Sequence, residues 1–277
     1  SFVVPDGQSF YEDFPVWRPD AGVGSWSETH YENGVIAAVA HGRLAQLRVG
    51  NEVHTIGIIG AVATALEFRG RGIGRRVVEG ARDRLIREGA RFIVLWGTER
   101  GWYSRMGFQP AGTQNLIPLL ELKLKKTGFD GVELRGSFSE SLFRQMQKTR
   151  EKFGGLALTD QDLGWMSRHR NVRWFSACDS KSGEVKAYAA VGRGIDLGGV
   201  IHEWGGETPA LHALFDTFRQ EAPHLLVMGS PDALTSHALE STAVNVLNDP
   251  AALVYWTQDA DAHTIGRSLW MWGLDSA

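Results

Sequence analysis

The chain has 277 residues, of which 43% are hydrophobic and 22% charged, enough for two domains of roughly 100–150 residues each. Its 29 basic and 32 acidic residues leave a net charge of −3, which gives no general drive toward nucleic acid or an anionic membrane. The single cysteine, Cys178, excludes an internal disulfide framework and any multi-cysteine metal site, no stretch reaches the ~18 apolar residues of a membrane span, and a cytoplasmic location is expected.

Residues 1–33, with Pro5, Pro15 and Pro19, read as irregular or shortly helical. From Gly34 the texture changes: "GVIAAVAHGRLAQL" and "EVHTIGIIGAVATAL" are β-rich segments joined by "RVGNEV", where Gly50-Asn51 marks a tight turn. After "FRGRGIGRRV", Ile73, Val77, Ala81 and Leu85 recur every four residues with Val78 and Ile86 beside them, while Arg75, Arg82 and Arg87 point elsewhere. That is the spacing of an amphipathic helix, which Gly89 stops. "RFIVLW" reads as a buried strand and "GTERGWYSRMGF" as a loop with one helical turn.

The second half repeats this order. "GVELRGSFSESLFRQMQKTREKFGG" predicts a strand and a helix with Leu142, Met146 and Phe153 on one side, capped by Ser139 or Ser137, and Thr159 caps a second helix, "DQDLGWMSRH". "VRWFSACD", "EVKAYAAVGRG" and "GGVIHEWGG" follow as strands, then a helix with Pro209 in its first turn, then the strand "HLLVMGS". A duplicated α+β fold with mixed sheets is the economical explanation, divided as 1–122 and 123–277. The last stretch, "ALVYWTQDADAHTIGRSLWMWGLDSA", is expected to close the second sheet. Most of the ten tryptophans, and Cys178, are expected in the core or between the halves.

The glycine turn carries chemistry. The amides from Gly70 to Arg75 fall where the first N–H groups of a helix have no internal partner, and glycine lets an anion approach the chain. Gly70, Gly72 and Gly74 give G-x-G-x-G, which is neither the dinucleotide fingerprint nor a P-loop. The plain alternative is a surface turn with solvated arginines.

Arg69-x-x-Gly72-x-Gly74 between a strand and a helix, followed about thirty residues later by "WYSRMGFQPAG", resembles the paired motifs of the GCN5-related N-acetyltransferase (GNAT) superfamily. The "IGAVAT" strand, the "GTERGWY" loop and the duplicated layout look like the tandem-domain bacterial acetyltransferases related to the enhanced-intracellular-survival proteins, without their sterol-carrier-like third domain. The resemblance implies two tandem acyl-CoA N-acyltransferase-like domains, the first binding acetyl-CoA and the second, degenerate, shaping the acceptor site. It places the pyrophosphate on the amides of Gly70, Arg71, Gly72, Ile73, Gly74 and Arg75, with Arg69 in reach, the pantetheine on Val62, Ala63 and Thr64, and Thr98 and Glu99 on the far side. Tyr103 would protonate the leaving thiolate. Superfamily members normally begin with a strand and two helices, for which residues 1–33 hold too little pattern.

The function this implies is direct transfer of acetyl to a primary amine of a small or peptidic acceptor in a ternary complex, with a non-catalytic acyl-CoA sensor as the alternative. A homo-oligomer is compatible with the sequence. The proton acceptor is open: Glu67, His202, Glu203, Asp275 and the terminal carboxylate of Ala277 are candidates, the last because the chain's end reaches the first active site in the related proteins, and His202, Glu203, Trp204 and Asp275 are expected to contact the acceptor substrate. His41, His54, His212, His224, His237 and His263 show no paired ligand spacing, so no metal is expected. At the equivalent turn the second half has Glu207 and no arginine, which would repel phosphate.

Overall fold

A computed structural model describes residues 9–126, 128–129, 137–194, 196–241 and 247–276. The strand expected within 131–136, and Ala277, lie outside the described residues. A short helix, α1 (Phe10–Asp13), precedes an antiparallel meander of β1 (Trp26–Glu32), β2 (Val35–Val49) and β3 (Glu52–Thr64). The helix α2 (Ile73–Arg87) leads into β4 (Phe92–Leu95), which runs parallel to β3. The helix α3 (Arg100–Ser104) and the strands β5 (Gln109–Ala111) and β6 (Gln114–Pro118) complete this half.

The second half contains α4 (Glu140–Phe153), β7 (Gly155–Leu156), α5 (Leu163–Met166), β8 (Arg173–Cys178), β9 (Val185–Val191), β10 (Val200–Gly206), α6 (Thr208–Glu221), β11 (Leu226–Gly229), α7 (Pro231–Ser236), β12 (Leu247–Asp249), β13 (Ala252–Trp256) and α8 (Asp259–Thr264). Ser139 caps α4 by accepting from the Leu142 amide at 3.2 Å, and Thr159 and Asp162 form a capping box ahead of α5.

One sheet has the order β1-β2-β3-β4-β13-β5, with β7 attached to β2, and the other β12-β6-β11-β10-β9-β8. Reversing the second order gives the same plan: a three-stranded meander, a parallel fourth strand, and a fifth borrowed from the other half of the chain. β6 pairs antiparallel with β11, and β13 lies antiparallel between β4 and β5. The expectation that the last stretch closes the second sheet is thereby corrected. "ALVYW" is fully apolar, as suits a strand flanked on both sides, but its composition does not say in which sheet.

A second correction concerns the start of the chain. "WSETHYE" forms β1, in which Ser27 and Tyr31 are exposed and the other five residues half-buried. Its polar side chains hide a strand that exists because β2 offers it a ladder, from Trp26 opposite Gly42 to Glu32 opposite Val35. Among the described residues before β1 the elements are α1 and one turn of 3₁₀ helix, Pro15–Trp17.

The core of the first half lies under α2, where Ile73, Val77, Val78, Ala81 and Leu85 cover Ile59 and Ile93. The larger core is shared: Ile58 and Val94 from the first sheet join Trp204 of β10 and Phe215 of α6. Trp165, Trp174, Trp204, Trp270 and Trp272 are all buried, as is Cys178. Among the described residues no helix is long and apolar enough to cross a membrane.

An ion cluster binds the chain's end into this core. Arg150 of α4 donates from Nε and Nη2 to the two carboxylate oxygens of Glu203, at 3.2 and 2.7 Å, and from Nη1 to Asp275. Asp275 also accepts from the Leu156 and Trp272 amides at 3.2 and 2.9 Å. All three ionic side chains are buried, and burial holds the Glu203 carboxyl above the usual carboxylate range against the opposing pull of Arg150. Removing the cation would strand two carboxylates in the interior. Arg150→Met is therefore expected to cost about 3–5 kcal/mol in urea unfolding; a loss below about 1 kcal/mol would show that the cluster contributes little.

Candidate cofactor cleft

The β3–β4 ladder is short. It joins Gly57–Ile59 to Ile93–Leu95 and stops where β4 ends, while β3 continues to Thr64 with a ladder only to β2. The sheet therefore splits beside residues 60–64, leaving one row of main-chain groups on β3 facing open space, and all five residues are half-buried. Such an exposed row can pair with an extended ligand as if with another strand.

A bulge sits at the mouth of the split. Val39 pairs with Ala63 but His41 with Gly60, so Ala40 opposes both Ala61 and Val62. Ala61 takes φ +50°, uncommon for a residue with a side chain. Bulges redirect the chain and free amides from the ladder, here next to the expected pantetheine residues Val62, Ala63 and Thr64.

The glycine turn follows directly. Gly70 and Gly72 have φ +76° and +74°, the left-handed region that glycine enters without a Cβ penalty. Gly72 is the N-cap of α2, no side chain caps the helix, and its first turn contains no acidic residue. Arg75 and Arg76 stand there instead, a charge sign the helix dipole disfavours unless an anion is present. The Arg69 side chain returns to the strand, donating from Nε to the Thr64 carbonyl at 3.2 Å. Arg71 lies over the Phe68 ring, and Arg75 pairs with Glu79 at 2.8 Å. Ile73 is buried beneath the turn as the first apolar anchor of α2. Gly74 meets Thr64 so closely that an added Cβ would lie 2.7 Å from its Oγ1.

Across the split, Thr98 and Glu99 are exposed on the loop between β4 and α3, and Tyr103 lies on α3. Tyr103 is 7% exposed, edge-on to Trp102 and Phe108, and its hydroxyl has no hydrogen-bond partner among the described residues. Burial, aided by Glu99, pushes its phenol up to about 12. It is thus a neutral O–H donor throughout the physiological range.

Other expected site residues lie away from open space. His202, Glu203 and Trp204 are completely buried. His202 Nε2 lies 2.9 Å from the Gly192 carbonyl, Glu203 is held by Arg150 and by the Tyr188 hydroxyl at 3.3 Å, and Trp204 donates to the Met228 carbonyl at 2.7 Å. Burial takes His202 down to about 4. Asp275 belongs to the same interior cluster. None of these four offers accessible surface to a substrate in this structure. Glu67 is exposed on the 3₁₀ turn Leu66–Phe68. In the second half, Glu207 is the N-cap of α6 and pairs with Lys186 at 3.0 Å, and residues 200–205 of β10 are buried, unlike the half-buried edge of β3.

Two features had no sequence signal. Ala61 is an ordinary strand residue until its register is seen. His41, weighed above only as a metal ligand, sits opposite Gly60 at the bulge, with Nδ1 2.9 Å from Ser27 Oγ and a pKa lowered by burial. Among the described residues no group of three or more His, Cys, Asp or Glu is arranged to hold a metal.

Known proteins share this fold. Residues 17–111 match the family described as Acetyltransferase (GNAT) domain. The fold resembles that of a GCN5-related N-acetyltransferase from Kribbella flavida (TM-score 0.60, 18% identity, 86% of this chain and 61% of that one). It also resembles a conserved protein of unknown function from Enterococcus faecalis V583, described as a probable N-acyltransferase (TM-score 0.62, 14% identity, 83% and 62%). Eis1 from Mycobacterium abscessus aligns over 94% of this chain and 74% of its own length (TM-score 0.59, 14% identity). The chain spans about three fifths of the length of the first two. No curated protein matches the sequence.

At the turn, Gly72→Ala places a side chain at φ +74°, at a cost of roughly 1–2 kcal/mol. Gly74→Ala crowds Thr64 at the cleft. Both variants are expected to bind coenzyme A at least tenfold more weakly by calorimetry while remaining folded by circular dichroism; wild-type affinity in both would remove the turn from the site.

Proposed function

We propose that the chain transfers an acetyl group from acetyl-CoA to a primary amine of a small molecule or peptide, by direct attack within a ternary complex. The observation that carries this reading is the continuity of residues 60–75: an open strand edge, a bulge and an uncapped helix start follow one another without a break. An extended arm ending in a pyrophosphate has the matching order of groups. The uncapped amides and arginines favour the anionic end, and the row on β3 favours the amide-bearing arm. The unit 1–122 is proposed to bind the donor and the unit 123–277 to shape the acceptor side, the first lending β6 to the second sheet and the second lending β7 and β13 to the first.

In the transfer, a neutral amine forms a C–N bond to the thioester carbonyl as the C–S bond breaks. An amide freed at the bulge polarises the carbonyl oxygen. Tyr103 donates its phenolic proton toward the leaving sulfur. His41, kept neutral by burial, accepts the proton lost by the attacking amine, with Ser27 fixing its ring. Because Tyr103 is raised and His41 lowered, the working protonation states coexist over a wide range. His41 is the competent base above its own lowered pKa, and Tyr103 the competent acid below about 12.

The direct test is calorimetry with acetyl-CoA, followed by a thiol-release screen of polyamines, aminoglycosides, amino acids and peptides. Micromolar binding and turnover of at least one amine are expected; absence of binding at millimolar acetyl-CoA would refute the reading. Tyr103→Phe should lower kcat by about 10² or more and leave coenzyme A affinity within twofold. With the acceptor's own titration divided out, the acid limb of kcat/KM should fall below the ordinary histidine value of about 6.5, and no tyrosine limb should appear below pH 10. An acid limb above 6.5 would exclude His41.

A further inference from the structure

Arg43 on β2 is 3% exposed, and none of its nitrogens has a hydrogen-bond partner among the described residues; Nε and Nη2 are sealed from solvent as well. Its guanidinium lies 5.9 Å from the centre of the Trp165 ring, which supplies only a cation–π contact. The carboxylates that act on it are committed elsewhere. Asp162 accepts from the Trp165 indole at 2.9 Å and from the Thr159 amide at 2.7 Å, and Asp275 serves Arg150. Burial lowers Arg43 to about 10, so it remains a cation at neutral pH. A buried charge with no hydrogen-bonded counter-charge is costly and calls for a partner.

Two other arginines, the buried Arg150 and the exposed Arg91, show what such a partner looks like. Arg150 presents Nε and Nη2 to Glu203, and Arg91 presents the same edge to Asp261, with both bonds at 2.9 Å. This is the bidentate geometry in which a guanidinium matches a carboxylate. On Arg43 the corresponding edge is unused.

Arg43 also borders a cavity of about 250 Å³, together with Gly22, Val23, Ala45, Leu158 and Asp162 among others. The cavity exists because the outer edge of β2 is uncovered there: β1 ends its ladder at Gly42, and β7 resumes pairing at Leu47. Its volume is about eight times the share of one liquid water molecule, the scale of a single amino acid. Nη1, the one guanidinium nitrogen not sealed from solvent, is the atom an occupant of the cavity meets first. Asp162 on the wall repels a doubly charged phosphate more strongly than a singly charged carboxylate, and it attracts an ammonium.

We propose that this cavity recognises the carboxylate of an amino-acid-sized ligand, gripped by Arg43. Arg43 stands three strand positions, roughly 10 Å, from Ala40 opposite the bulge. An acceptor carrying both an amine and a carboxylate therefore suits the two places together. That last link rests on the acyl-transfer reading; the binding itself does not.

The test is calorimetry on the full chain at fixed ionic strength, using glycine, 4-aminobutanoate, glutamate, their amides and inorganic phosphate. At least one carboxylate should bind saturably and at least tenfold more tightly than its amide or phosphate. Arg43→Gln should abolish that binding, keep coenzyme A affinity within twofold, and melt no lower than wild type because an unpaired buried charge is gone. No carboxylate binding at millimolar concentration, equal binding of the amide, or tighter binding of phosphate would overturn the proposal. The carboxylate–amide comparison on wild-type protein decides the matter even should the variant fail to fold. Carboxylate binding without acetyl-CoA binding would sink the acyl-transfer reading and leave the carboxylate site standing.

Discussion

The short parallel ladder between β3 and β4 is the constraint on which the site depends. Three residue pairs hold the two strands together, and then β4 stops while β3 runs on. Unpaired main-chain groups are costly when buried, so the edge is tolerable only where solvent or a ligand can satisfy it. The bulge at Ala61 and the uncapped start of α2 extend the same logic: one continuous segment places three kinds of unmet hydrogen-bonding demand in a line, suited to a ligand with amides at one end and phosphates at the other.

A split sheet needs support on its far side, and the strand exchange supplies it. β4 is held along its other edge by β13 from the opposite half of the chain, with Leu253 facing Leu95 and Trp256 facing Phe92. β6 does the same for β11. The Arg150–Glu203–Asp275 cluster then ties the chain's end to α4 and β10. The halves are thus mutually templated, and the second, whose own turn carries Glu207 and whose β10 is buried, supports the first sheet through β13.

Much of this was legible in the residues. The four-residue recurrence of Ile73, Val77, Ala81 and Leu85 fixes α2, and the glycines before it fix the turn, because both signals are local. The repetition of element order disclosed the duplicated plan. What stayed hidden depends on pairing over long sequence distances: β1 is polar and exists through its ladder to β2, and "ALVYW" is apolar in either sheet. Likewise His202, Glu203 and Asp275 look like solvent-facing polar residues until Arg150, far away in sequence, is seen among them. The bulge at Ala61 is a property of register, and an alanine gives no hint of positive φ.

The central claim is that the edge at residues 60–64 and the amides at 70–75 receive one ligand together. Amide hydrogen exchange, followed residue by residue with and without coenzyme A, tests this most directly. The account predicts that both segments become protected in parallel, with the same dependence on coenzyme A concentration, while the equivalent turn around Glu207 is unaffected. Protection at neither segment, or at the Glu207 turn instead, would contradict it.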